Sequence, residues 1–204
     1  MSRVRAVTSS ELAPEGAAIY ETFAQSYGPF RNQVAVLAHV PAAMTHLMPM
    51  LMELKARKAI NWRYIELAIV TVSKLNQCQY CIAHHTKPLM IEGIAADAID
   101  RLPDFKDNPG LDDVDKLVVE YAIAVTEDAR RVSDSLFARL RGHFSEAQIV
   151  ELTLRIALAG FFNRFNEALR IDDELADQAA AESHDVACSS LKGSTYDECE
   201  RLET

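Results

Sequence analysis

Apolar residues return at three- and four-residue steps along almost the whole chain, with no sustained alternation of period two and no Asn-Gly or Asp-Gly hairpin signal. The spacing predicts an all-α fold. Ser10 caps a first helix through about Tyr27, which Gly28-Pro29 breaks. Asn32 to His39 gives a short helix, and Val40-Pro41 opens another that runs to about Lys58 with a kink at Pro49. Asn61 then stands at a cap position before WRYIELAIVTVSKL, whose Ile65, Leu67 to Val70 and Val72 are too continuously apolar for a surface helix. That helix is expected at the centre of the fold. Leu75-Asn76-Gln77 reads as a short turn, with Asn76 capping a helix that carries CQYCIAHHTKPLMIEG, bends at Pro88 and ends at Gly93. Further helices are expected over Ala95 to Leu102, Asp112 to Glu127, Ser133 to Arg141 and Glu146 to Arg170. The last opens with the capping-box pattern Ser145-Glu-Ala-Gln148, and turns fall at Pro103 to Gly110 and at Gly142.

Composition narrows the class. A chain of 204 residues with 49% hydrophobic and 25% charged side chains is an ordinary globule, long enough for one self-sufficient core. No apolar run approaches the length of a membrane span, and MSRVRAVTSSELAPEG lacks the apolar stretch of a secretory signal. A cytoplasmic protein with no membrane partner is expected. The net charge of −9 is unevenly placed: the last 33 residues hold 10 acidic against 2 basic side chains, the preceding 171 hold 20 against 19. Neither part offers the clustered Lys and Arg that a nucleic acid requires. From Asp172 the composition turns to Asp, Glu, Ala and Ser, which predicts a helical domain over 1–174 and an acidic, disordered tail over 175–204.

Four cysteines form two unlike groups: Cys78 and Cys81 as a close pair, Cys188 and Cys199 apart in the tail. In a reducing compartment a close pair points to redox chemistry or metal. With Glu66 and His85 the pair makes the pattern Glu-x11-Cys-x2-Cys-x3-His. On one helix Cys78, Cys81 and His85 share a face, and a tight turn before it would bring Glu66 of the preceding helix alongside His85. Thiolate formation needs a nearby base or positive field, which His85 supplies while Glu66 fixes its tautomer. Two cysteines three apart can cycle between dithiol and disulfide, so two-electron thiol oxidation is the implied reaction class.

The stretch from Glu66 through Cys78-Gln-Tyr-Cys81-Ile-Ala-His84-His85 to Gly93 resembles the alkylhydroperoxidase D-like branch of the carboxymuconolactone decarboxylase superfamily. Weaker likeness lies in LAHVP (37–41), FSEAQIVEL (144–152) and NRFNEAL (163–169). The resemblance implies an alkylhydroperoxidase D-like helical fold, homo-oligomeric assembly and a peroxidase that reduces hydroperoxides without metal or organic cofactor. It implies that Cys81 attacks the peroxide, Cys78 resolves the sulfenic acid as a disulfide, Glu66 and His85 relay protons, and an external dithiol reductant restores the pair. Helix electrostatics pull the other way: with Asn76 as cap, Cys78 lies nearer the N-terminal dipole and would ionise more easily than Cys81. Tyr80 stands where some relatives carry His.

Rival readings use the same residues. Cys78, Cys81 and His85 supply three ligands for zinc, although no convincing fourth is present, and the cysteines could be buried and inert. Glu66, inside an apolar run, must be paired or functional, and a structural ion pair with Arg63 or Arg155 is the plain alternative. His84 points about 100° away from His85 and suits packing. His39, which could reach the pocket, is otherwise ordinary like His46 and His143. Met44, Met48, Met50, Met52, Trp62 and Tyr64 suit core or subunit contacts. Asn163 and Asn166, amid Phe161, Phe162 and Phe165, are polar residues placed to bond across a helix interface. In the tail, Cys188, Cys199 and His184 are incidental. Two other functions remain open: a decarboxylase or lyase using His85 and Glu66 as acid and base on a small organic acid or lactone, and a non-enzymatic redox-sensing module.

Overall fold

In the computed structural model, which describes residues 2–26 and 30–175, four of the helices begin where a side chain accepts from their orphaned N–H groups. Nine α-helices follow one another among the described residues: α1 (Pro14–Ser26), α2 (Arg31–Leu37), α3 (Met48–Arg57), α4 (Trp62–Leu75), α5 (Gln79–Ile91), α6 (Ala96–Asp100), α7 (Asp113–Asp128), α8 (Asp134–Arg141) and α9 (Glu146–Leu169). No strand occurs among the described residues, as the periodicity predicts. Asn61 accepts from the Arg63 N–H to start α4, Asp112 and Asp115 cap α7 reciprocally, and Ser145 with Gln148 does the same for α9.

Four local expectations change. Ser10 lies in a short 3-10 turn, Ser9–Glu11, and α1 starts instead at Pro14, whose fixed φ and missing N–H suit a first helical position. The break expected at Gly28-Pro29 lies outside the described residues. α2 begins at Arg31 and ends at Leu37, two residues before the expected end. At Pro49, where a kink in a uniform helix is expected, the turn before it, Ala43–Leu47, widens to a π-helix. Proline can neither donate to the carbonyl four residues back nor pack against it, and a wider turn relieves both conflicts.

The fourth difference lies at the α4–α5 turn. Asn76 ends α4 rather than capping α5, Gln77 takes a left-handed φ of 57°, and Cys78 itself holds the N-cap position. The Cys78 N–H bonds the Ser73 carbonyl at 3.0 Å and the Gln77 N–H bonds that of Lys74 at 3.1 Å, a Schellman closure with Gln in place of Gly. That turn folds α5 back along α4.

α4 is buried along Ile65 to Ala68 and Val70 to Ser73, as its continuous apolar run predicts, and packs against α5, α7 and α9. Two hydrophobic clusters result. One joins α4 to α7, α8 and α9 through residues such as Ile65, Val70, Leu117, Leu140 and Leu152. The other gathers Phe23, Phe30, Val34, Met48 and Leu51 from α1–α3 around Cys78, Tyr80 and Cys81. Arg63 forks onto Asp115 at 2.9 and 2.6 Å and reaches the Glu92 carbonyl at 3.0 Å, tying the start of α4 to α7 and to the end of α5. At Gly93, after α5, φ is 90° and an added Cβ would lie 3.3 Å from Arg63, so this position favours glycine on both counts.

The chain divides into two units, 1–172 and 173–204. Within the first, the Ser2 N–H and hydroxyl both bond the Asp172 carboxylate, which joins its two ends. Of the second, residues 173–175 are described, and there the Asp173 carboxylate accepts from the Leu175 N–H at 2.9 Å. The rest of the expected tail lies outside the described residues. No helix among the described residues is long and apolar enough to cross a membrane.

Candidate active site

The α4–α5 hairpin brings together the four residues singled out by spacing. Glu66 is 3% exposed, and its Oε2 lies 2.7 Å from His85 Nδ1 across the two helices. Arg63, one of the two arginines considered as its partner, is committed to Asp115 instead. One helical turn before His85, Cys81 faces Cys78, and their sulfurs are 3.1 Å apart with both cysteines free. All four sit where α5 leaves the second hydrophobic cluster and meets α4 and α9.

The two thiols are not equivalent. Cys78 is pushed well above the ordinary thiol range, first because its S–H is donated to Cys81, then by burial and by the charge of Cys81, with the Glu167 carboxylate adding to these. Cys81 is brought down from 9.0 to about 7. The Cys78 hydrogen bond is the largest cause; burial opposes it, and the charge of His85 with amide donors from Asn163 and Asn166 assists it. The preference expected from the helix dipole is therefore reversed. Cys78 sits at the cap with its proton held between two sulfurs, while Cys81 gathers the donors. His85 is raised above 6.5: burial pulls it down, but the charge and hydrogen bond of Glu66, with the charge of Cys81, outweigh that loss.

Cys81 and His85 open onto a cavity of about 70 Å³, walled by Phe30, Leu51, Ile69, Leu158 and Phe162 and carrying Gln33, Arg155 and Asn163 as its polar groups. One ordered water needs roughly 10–15 Å³ by the same measure, so there is room for a small reacting group. The mostly apolar wall suits an organic substituent better than a bare hydrophilic ligand.

Gln33, Phe30 and Lys55 escape sequence reasoning, whereas Arg155 stands there as a possible partner for Glu66. Gln33 and Phe30 come from α2 and its edge, with no local motif to mark them. Lys55 and Arg155 lie over Trp62, at 5.7 and 5.3 Å from its ring centroid, and Lys55 feels the charge of Glu66, so Trp62 carries more than packing. The polarity of Asn163 and Asn166 within an aromatic stretch was the available signal. Asn163 accepts from Asn76 at 2.9 Å and donates to Ser73 at 3.2 Å, bracing the α4–α5 turn, and Asn166 reaches Cys81. His84 is buried and stacks on Tyr80 at 4.1 Å, in the packing role its direction predicts. His39 bonds the Arg5 carbonyl at 2.9 Å rather than reaching the site. Cys188, Cys199 and His184 lie outside the described residues.

A zinc ion could draw on Cys78, Cys81 and His85, but the geometry suits it poorly. Two thiolates on one tetrahedral zinc at ~2.3 Å would stand about 3.8 Å apart. Here the sulfurs share a proton at 3.1 Å and His85 Nδ1 is held by Glu66.

Comparison with known proteins agrees with the helical fold. Residues 41–105 match the model of the carboxymuconolactone decarboxylase family. The chain is 30% identical over 139 residues to YdfG of Bacillus subtilis, covering 68% of this chain and 94% of that protein. It is 28% identical over 105 residues to YnjA of Escherichia coli, a match spanning 52% of this chain and 58% of YnjA's length. Among solved structures, a peroxidase-related protein with an alkylhydroperoxidase AhpD core from Ralstonia eutropha aligns at TM-score 0.72 and 21% identity, over 85% of this chain and 92% of that one. The debrominase Bmp8 in complex with 2,3,4-tribromopyrrole aligns at 0.71 and 18%, over 90% and 99%. A relative matched over nearly its whole length and a family model that spans the cysteine pair lead to one conclusion: the chain belongs to the carboxymuconolactone decarboxylase family.

Proposed function

We propose that the protein is a thiol-dependent peroxidase acting on small organic hydroperoxides. The observation that carries this reading is the unequal cysteine pair: Cys78 Sγ donates to Cys81 Sγ at 3.1 Å, which with the donors from α9 brings Cys81 down to about 7, while Glu66 raises His85 on the same cavity wall. The Cys81 thiolate attacks the terminal peroxide oxygen; the O–O bond breaks, the sulfur becomes a sulfenic acid, and the leaving alkoxide takes the His85 proton to depart as an alcohol. Neutral His85 then accepts the Cys78 proton and passes it to the departing hydroxide. The Cys78 sulfur displaces that hydroxide from Cys81, giving a disulfide and water. An external dithiol reduces the disulfide, becoming oxidised itself, and the returning Cys81 proton recharges His85. Glu66 keeps Nδ1 occupied, so proton exchange at the cavity uses Nε2.

A lyase using only His85 and Glu66 as acid and base stands second, supported by their 2.7 Å contact and the family to which the chain belongs. The two separate in one experiment. With an organic hydroperoxide and a small dithiol, Cys78→Ser and Cys81→Ser should each lose at least about a hundredfold in turnover. Full activity in both variants would refute the peroxidase reading.

A further inference from the structure

We propose that Asn166, held in orientation by Gln33, is the positioning residue that selects Cys81 rather than Cys78 as the attacking sulfur, by donating its side-chain amide to the Cys81 thiolate. The inference rests on the peroxidase reading but concerns how its nucleophile is chosen. Asn166 is 2% exposed and sits on α9, one turn beyond Asn163. Its Nδ2 lies 3.2 Å from Cys81 Sγ and 2.9 Å from Gln33 Oε1, so each of its amide hydrogens has an acceptor. Gln33, itself buried, comes from α2 and lies 133 residues away in sequence.

The physical need is specific. Cys81 is 4% exposed, and a buried thiolate must be compensated by donors or charge. His85 supplies charge, but the same residue gives up its proton to the leaving oxygen, and its help to sulfur ends with that step. A neutral amide does not titrate, so its donation persists through attack and resolution. A thiolate accepts and cannot donate, which makes an N–H the only useful end of the Asn166 side chain to present. Gln33, by accepting the second hydrogen, holds that end in place. The same helix treats the two sulfurs differently, since it directs amides at Cys81 while the Glu167 carboxylate disfavours ionisation of Cys78.

The charged and titratable groups around the pair are Glu66 of α4, Lys55 of α3, His85 of α5, and Arg155 and Glu167 of α9; Lys55 acts through His85. Substituting a neutral residue leaves all of them in place. The test follows alkylation of Cys81 by iodoacetamide against pH in the full chain, read at that residue by mass spectrometry without peroxide. In Asn166→Leu the midpoint should rise by about one pH unit, and alkylation at pH 7 should slow about fivefold. Gln33→Leu should move it the same way by less, and Gln33→Met, which keeps the length of the side chain but offers no amide acceptor, should do the same. If Asn166→Leu does not melt as the parent does, the two Gln33 variants decide. Wild-type midpoints in Asn166→Leu and Gln33→Leu, or a shift at Cys78 in place of Cys81, would overturn the proposal. Because no peroxide is present, a protein inactive toward hydroperoxides could still pass this test, and an active one could fail it.

Discussion

His85 Nδ1 lies 2.7 Å from Oε2 of Glu66, a part-buried contact between residues nineteen apart that exists because the Asn76-Gln77 turn folds α5 back onto α4. The contact raises His85, and a raised base stabilises the fold in a defined pH window. Its contribution is full below the unfolded value of about 6.5 and is lost as pH rises through the higher folded value. Glu66→Gln removes the source of the shift and leaves a buried imidazole that resists protonation. Denaturant unfolding should show a loss of about 1–3 kcal/mol at pH 6 that shrinks toward pH 9. A loss independent of pH would mean that the pair is not ionised.

Cys81 titrates in the opposite sense. Its folded value, about 7, lies below the ordinary 9.0, so its contribution to stability is present at alkaline pH and lost as pH falls through 7. Reduced protein should therefore alkylate at Cys81 with a midpoint near pH 7, while Cys78 reacts only under strongly alkaline conditions. Equal reactivity of the two would contradict the asymmetry on which the mechanism depends.

The cysteines should also differ in what they leave behind. Treated with hydroperoxide and a sulfenic-acid trap, Cys78→Ser should accumulate one adduct at Cys81, because the first step survives and the second cannot occur. Cys81→Ser should yield no adduct at Cys78. An adduct at Cys78 would exchange the two roles.

Ala159 borders the cavity beside Leu158 and Phe162. Enlarging it to Leu should raise KM for a bulky aryl hydroperoxide roughly tenfold, the scale of one or two displaced apolar contacts, and leave hydrogen peroxide nearly unaffected. Parallel loss with both substrates would place the reaction elsewhere.

Asp115, fully buried, accepts both prongs of Arg63 and also the Asp112 N–H. Asp115→Ala strands a guanidinium and opens the start of α7, and should cost about 3 kcal/mol of stability in chemical denaturation. A change under about 0.5 kcal/mol would show the fork to be a solvated contact of little consequence.

Much of this was legible from the chain because it is local. The apolar run of α4, the Asn61 and Ser145 caps and the Glu-x11-Cys-x2-Cys-x3-His spacing each lie within one or two helices, where periodicity and turn length nearly determine which residues meet. The errors lie where two local rules compete. Asn76 suits a helix start, but it ends α4 with its amide donated to Asn163 of α9 and Cys78 holds the cap; the S–H that Cys78 donates to Cys81, a contact between side chains, reverses the expected order of the thiols. At Pro49, where the pattern predicts a kink, the preceding turn widens to a π-helix, a detail that periodicity does not carry. The partners contributed by α2, α3 and α9, namely Gln33, Lys55, Arg155 and Asn166, meet the hairpin only in three dimensions. The two asparagines hint at this as polar residues among phenylalanines, and Arg155 as an arginine able to face Glu66, whereas Gln33 and Lys55 carry no such signal.

The most direct test is to mix reduced protein with one equivalent of an organic hydroperoxide and map its cysteines by mass spectrometry over seconds. The account predicts that a Cys78–Cys81 disulfide appears in step with loss of the peroxide and formation of the alcohol. Peroxide left intact over that time, with both thiols still reduced, would contradict it and bring forward the acid–base chemistry of His85 and Glu66.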